Sequence, residues 1–181
     1  MTKTIYLIRH CEAEGQAPSA NLTAKGNEQA RQLAGFFSNI QINRIISSPF
    51  TRAVDSIHPL ANKLSLNIEA DDRLCERILS EGDLPDWQLR LEATFQHFQL
   101  KYEGGESSEE ATHRILNVVN EILENEPTII VTHGNIMALL IHYYQANFGF
   151  AGWKSLTNPD IYLLNIDSQQ SKIQRIMPPI I

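Results

Sequence analysis

Cysteine is scarce in this chain. Two residues, Cys11 and Cys75, among 181 are too few for a disulfide framework, so stability has to come from a packed core. Long apolar runs are missing too. The longest of note, Ile136–Ile141 (IMALLI), is far shorter than the ~20 residues that cross a bilayer as a helix, which argues against a membrane partner. No charged-then-apolar leader precedes the strand-like sequence at Ile5, so a cytoplasmic protein is expected. No lysine- or arginine-rich block occurs, and the net charge is −6, which argues against nucleic acid as a partner. That balance does not exclude a small anion, because a few arginines focused in a cleft dominate locally. Repeats, low-complexity tracts and short ligand pairs such as His-x-His are absent as well.

What is present reads as an ordinary globular chain, 43% hydrophobic and 20% charged. Its length suits one domain over residues 1–181, able to bury roughly 70% of its extended-chain surface. Strand-like runs at 4–10, 44–49, 66–74, 128–133, 160–167 and 172–177 alternate with helical patterns at 23–40, 49–64, 86–98, 107–125 and 135–148. Ser107 with Glu110 fits a capping box, and Ser48–Pro49 reads as a helix N-cap followed by proline at the first helical position. Nearly all-apolar strands separated by amphipathic helices predict a three-layer α/β/α sandwich around a largely parallel sheet of about six strands.

Such sheets place their sites beyond the carboxyl ends of the strands. There the sequence puts Arg9 and His10 after the first strand, and Ser47–Ser48–Pro49 leading to Arg52 after the second. His133 follows the 128–133 strand, and Gly134–Asn135 opens the next helix. Two guanidiniums beside two imidazoles match a tetrahedral oxyanion, with the helix start after His133 adding free backbone donors. Binding alone needs no imidazole. A strand-tip histidine whose second ring nitrogen is held by a backbone carbonyl can attack phosphorus, and the leaving alkoxide then needs an acid. Glu76 is the candidate acid and Glu12 competes with it.

At these positions the chain resembles the histidine phosphatase superfamily, the phosphoglycerate-mutase-like proteins. LIRHCEAEGQ (7–16), LTAKGNEQARQLAGFF (22–37), SSPFTRAVDS (47–56), RLCER (73–77), GGESSEE (104–110) and VTHGN (131–135) are similar to its motifs, in the same order. The resemblance implies that His10 becomes a phosphohistidine, that Arg9, Arg52 and His133 clamp the phosphoryl oxygens, and that Glu76 is the acid. It places Gln16 and Thr23 as further phosphate contacts beside the backbone at Gly134 and Asn135, and implies no metal or organic cofactor. Cys11 stands where the family usually has glycine.

The segment 77–106 reads as a lid that sets substrate choice. From Arg77 to Glu103 it holds Arg77, Arg90 and Lys101 against Glu81, Asp83, Asp86, Glu92 and Glu103, a net charge of −2. That sign disfavours a doubly anionic sugar acid and favours hydrolysis of a small-molecule phosphomonoester, with Trp87, Phe95 and Phe98 as an apolar wall. Mutase-type transfer, a metallohydrolase built from His10, His133 and a carboxylate or Cys11, and a non-catalytic phospho-ligand module are the competing readings. A homodimer stays open. The two cysteines read as small buried apolar groups in preference to a thiol switch.

Overall fold

A computed structural model describes residues 2–176. Six strands form one sheet: β1 (Lys3–Arg9), β2 (Arg44–Ser47), β3 (Ile68–Ala70), β4 (Thr128–Thr132), β5 (Asp160–Ile166) and β6 (Ser171–Arg175). Their order is β3-β2-β4-β1-β5-β6, and only β5 runs against the rest. The third strand is shorter than the 66–74 expectation, because the chain turns into a 3-10 helix at Asp72–Leu74. Of the strand expected over 172–177, Met177 lies outside the described residues.

The strands are apolar on both sides because both sides are covered. On one face α1 (Ala24–Phe36) and α2 (Thr51–Leu64) press Leu33, Ile57 and Leu60 onto Ile8, Ile45 and Ile129. On the other, α3 (Trp87–Gln96), α4 (Ser108–Glu121) and α5 (Gly134–Tyr144) bring Leu91, Ile115, Val119 and Met137 against Ile5, Leu7, Ile46 and Ile130. Neighbours Leu7 and Ile8 point to opposite cores, as strand alternation requires. Each such aliphatic side chain contributes ~1.5–3 kcal/mol by leaving water.

The capping box at α4 forms as expected: Glu110 N–H donates to Ser107 Oγ (3.1 Å), and Ser107 N–H donates to the Glu110 carboxylate (2.8 Å). Two other boundaries differ from the sequence expectation. Helix α2 starts at Thr51 with Phe50 as N-cap, so Ser48 and Pro49 precede it; Ser48 Oγ accepts from Phe50 N–H (3.3 Å) and turns to the site. Helix α5 ends at Tyr144, short of Phe148, and a further short helix α6 (Phe150–Ser155) follows. The end of α5 was obscured because Tyr143–Phe148 continues an apolar pattern with no glycine or proline to stop it.

The loop after β1 lies directly on the first turn of α1. A Cβ at Gly26 would stand 2.0 Å from the Glu12 carbonyl oxygen, so only glycine lets the two segments approach this closely.

Candidate active site

The carboxyl ends of β1, β2 and β4 lie side by side. His10 N–H donates to Thr132 O (3.1 Å) and Ser48 N–H to Val131 O (2.9 Å), so the sheet ladder itself brings His10, Ser48 and His133 to one edge. The His10 and His133 ring centroids are 5.1 Å apart.

His10 is held at both nitrogens. Nδ1 lies 2.7 Å from the Cys11 carbonyl, and Arg52 Nε donates to Nε2 at 3.2 Å. A carbonyl only accepts, so the network assigns the proton to Nδ1 and leaves the lone pair on Nε2. Arg52 is almost wholly buried, with Nη1 donating to Gln16 O (3.1 Å) and Ala17 O (2.8 Å) and its guanidinium over the Phe50 ring. Arg9 is fixed through Nη1 to Leu156 O (3.0 Å), while its Nε is buried without a partner among the described residues. His133 Nε2 shares a hydrogen bond with the Ser48 hydroxyl at 2.8 Å, and its Nδ1 is also buried and unpartnered among the described residues. Arg9, next to His10 in the chain, and His133, whose ring adjoins that of His10, therefore each carry a buried polar atom without a partner among the described residues. An oxyanion would fill them.

Glu76 is where the sequence reading needs correction in detail. The backbone donors that open α5 were expected to face an anionic ligand. Instead Asn135 N–H donates to Glu76 Oε2 (3.0 Å), and Ile136 N–H (3.1 Å) and Arg77 N–H (2.9 Å) donate to Oε1. The helix start holds this carboxylate in place. Oε2 accepts only one of these bonds and so keeps room for a proton. Gly134 has its own reason: a Cβ there would come within 3.1 Å of the Arg9 guanidinium.

Of the remaining sequence candidates, Gln16 and Asn135 line a cleft that also contains Arg9 and Glu76. Thr23 spends its hydroxyl elsewhere. It accepts from Gly26 N–H (2.9 Å) as the α1 N-cap and donates to Glu12 Oε1 (2.9 Å), which occupies the competing carboxylate too. Of the expected apolar wall, only Trp87 lines the cleft. Phe95 is buried in the core, and Phe98 packs on His142 beside a separate groove. Among the described residues, no group of three or more His, Cys, Asp and Glu is placed to hold a metal ion.

The profile of the histidine phosphatase superfamily (branch 1) matches residues 5–177. The chain belongs to that superfamily. Human 6-phosphofructo-2-kinase/fructose-2,6-bisphosphatase 4 is 27% identical over 155 residues, covering 78% of this chain and 33% of that protein. The chain thus spans about a third of the length of that bifunctional relative. A probable phosphoglycerate mutase GpmB of Salmonella choleraesuis is 27% identical over 191 residues, covering 93% of this chain and 86% of the relative. Among solved structures, Bacillus stearothermophilus YhfR superposes with a TM-score of 0.78 at 22% identity, covering 96% of each chain. A mycobacterial glucosyl-3-phosphoglycerate phosphatase superposes with a TM-score of 0.75 at 22% identity, covering 97% of each chain. These two likenesses establish the α/β fold.

Asn158, Gln29 and Trp153 belong to the site of this superfamily member without a signal in the sequence, and Ser48 was legible there only as a helix cap. Asn158 Nδ2 donates to the His10 carbonyl (2.8 Å) and approaches Nδ1 (3.5 Å), while Gln29 Nε2 donates to the Asn158 carbonyl (2.8 Å). Ser48 orients His133, and Trp153 enters the cleft from α6. Cys11 is buried as expected, and burial pushes its thiol up to about 12; Cys75 is only half-buried, though burial raises its thiol as well.

Burial also pushes the two imidazoles down, His10 to about 3 and His133 to about 2. For His10 desolvation is the largest cause; the Cys11 carbonyl opposes it, and the Arg52 and Arg9 guanidiniums add to it. For His133 desolvation again leads, followed by His10, Arg52 and Arg9. Both rings are neutral at neutral pH. An unfolded histidine protonates near ~6.5, so on acidification the unfolded chain takes up these protons first. Folding stability is therefore full above pH ~6.5 and falls from there towards pH ~3, by up to ~1.4 kcal/mol per pH unit for each histidine. Urea unfolding at pH ~7 and ~5.5 checks this: a His10→Asn, His133→Asn double variant should lose clearly less stability than the parent. Equal losses would contradict it.

Proposed function

We propose that this chain is a phosphomonoester hydrolase that works through a phosphohistidine at His10, on a small phosphorylated metabolite. The observation that carries the reading is the locked His10 ring. With Nδ1–H held by the Cys11 carbonyl, the Nε2 lone pair accepts from Arg52 Nε (3.2 Å) and becomes free for phosphorus when the guanidinium turns its N–H to an arriving phosphoryl oxygen, and burial keeps the ring unprotonated.

In the first step Nε2 forms a bond to phosphorus as the bond to the leaving oxygen breaks. Arg9, Arg52 and His133 Nδ1 take the phosphoryl oxygens and stabilise the charge spread over them. Glu76, as the acid, gives its proton to the leaving oxygen. In the second step water attacks phosphorus and passes a proton back to Glu76. The N–P bond breaks, the electron pair returns to Nε2, and orthophosphate leaves. Two guanidiniums supply the positive charge that a metal ion would otherwise bring, so the reaction is read as metal-independent. The setting is taken to be the cytoplasm.

Mutase-type transfer is the weaker reading on charge. Two of the three cations in segment 77–103 are already paired, Arg90 with Asp86 (2.7 Å) and Lys101 with Glu110 (2.9 Å), which leaves little to hold a second anionic group. Rapid quench with 32P-labelled substrate should trap an acid-labile, base-stable phosphoenzyme, formed equally well in chelator. Turnover of phosphate esters without any such species would overturn the covalent route.

A further inference from the structure

We infer that the cleft beside the phosphoryl site accepts a leaving group made of a flat apolar ring bearing an oxygen acceptor, with Arg77 as the residue that reads the acceptor. This rests on the hydrolase reading above and deepens it. The cleft, of about 400 Å³, shares Arg9 and Glu76 with the site, so an ester bond poised at His10 directs its leaving group there.

Two observations define that leaving group. The first is apolar: Leu79, Trp87, Leu91 and Trp153 line the cleft. The chain has only two tryptophans, and both are here. Their rings meet edge-to-face at 5.9 Å and 90°, Trp153 is stacked on Phe150, and Trp87 is left 44% exposed. An exposed indole beside a catalytic cleft is surface available to a ligand ring.

The second is polar. Arg77 is buried and held rigidly: Nε donates to Glu106 O (2.9 Å), and Nη1 to Thr94 Oγ1 (3.0 Å) and Ser108 Oγ (3.0 Å). Its Nη2 is buried with no partner among the described residues. Burial lowers this guanidinium to about 10, and it stays cationic at neutral pH. A fixed cationic donor left empty is costly, and a ligand oxygen would complete it. One such donor, in a segment otherwise rich in carboxylates, fits a carbonyl or single carboxylate better than a second phosphate.

The test compares kcat/KM for phenyl, 4-acetylphenyl, 3-carboxyphenyl and 4-carboxyphenyl phosphate in the parent and in Arg77→Met. The parent should prefer at least one acceptor-bearing ester over phenyl phosphate by roughly tenfold. Arg77→Met should remove that preference, through KM more than kcat. A Trp87→Ala variant should raise KM for the aryl esters about tenfold relative to glycerol phosphate. Equal losses on every ester, or no preference in the parent, would overturn the inference. Because Arg77→Met also removes three buried hydrogen bonds, a second readout avoids that variant. In His10→Ala protein, the phosphate-free alcohol 4-hydroxybenzoate should quench the tryptophan emission at lower concentration than phenol does, and glycerol should not. Parity between the two phenols would sink the Arg77 assignment. This readout needs no turnover, so it separates failure of the cleft from failure of the hydrolase.

Discussion

Replacing His10 by alanine should abolish phosphate-ester hydrolysis, lowering kcat by roughly 10⁴-fold or more. The expectation follows from the division of labour at the sheet edge. Arg9, Arg52 and His133 can hold a phosphoryl group without His10, but none of them offers a fixed lone pair in line with phosphorus. The ring is held by the Cys11 carbonyl and Arg52, and Asn158 steadies its backbone, so another side chain cannot swing in to replace it. The variant should still fold, because its ring packs against polar partners and its loss relieves an imidazole that resists protonation on acidification. Circular dichroism and a thermal melt check the fold, and calorimetry with orthophosphate should show binding within about tenfold of the parent. Retention of more than about a tenth of the parent's activity would rule His10 out as the nucleophile.

For Glu76→Gln the expected loss depends on the leaving group. An alkyl phosphate releases a strongly basic alkoxide and needs the acid, so its rate should fall by ~10²–10⁴-fold. A 4-nitrophenyl ester releases a weakly basic phenolate and should lose far less in the first step. The ratio of the two losses is the readout, since a general weakening of the site would affect both esters alike. Some stability is lost as well. Glu76 accepts from Asn135, Ile136 and Arg77 N–H groups, and an amide cannot accept at both ends, which leaves a donor unpaired at a cost of ~1–3 kcal/mol. Equal losses on both esters would mean that Glu76 serves the α5 terminus and not proton transfer.

The two roles of Glu76 show what kind of information a sequence withholds. RLCER marks a carboxylate near a strand end, and chemistry demands an acid there. Nothing in the local pattern says that the carboxylate lies across the first turn of a helix some sixty residues later. The same holds for Ser48, which local rules read as a helix cap. In the fold α2 begins three residues further on, and the hydroxyl meets His133 because β2 and β4 are neighbours. Thr23 went the other way: a residue given to phosphate by resemblance caps α1, where the short-range rule for Thr before a helix already applied.

Strand and helix alternation, the two-sided burial of the sheet, and the arrival of Arg9, His10, Arg52 and His133 at one edge all follow from the order of residues. Periodicity and strand ends are local properties, and a parallel sheet converts them into position with little freedom. The partner of each ring nitrogen, the hold of α5 on Glu76, the empty Nη2 of Arg77 and the meeting of Trp87 with Trp153 came only from the tertiary structure. Those contacts join segments up to 148 residues apart, as between Asn158 and His10. A hydrogen bond is decided over a few tenths of an ångström, and that precision exists only after the whole core has packed.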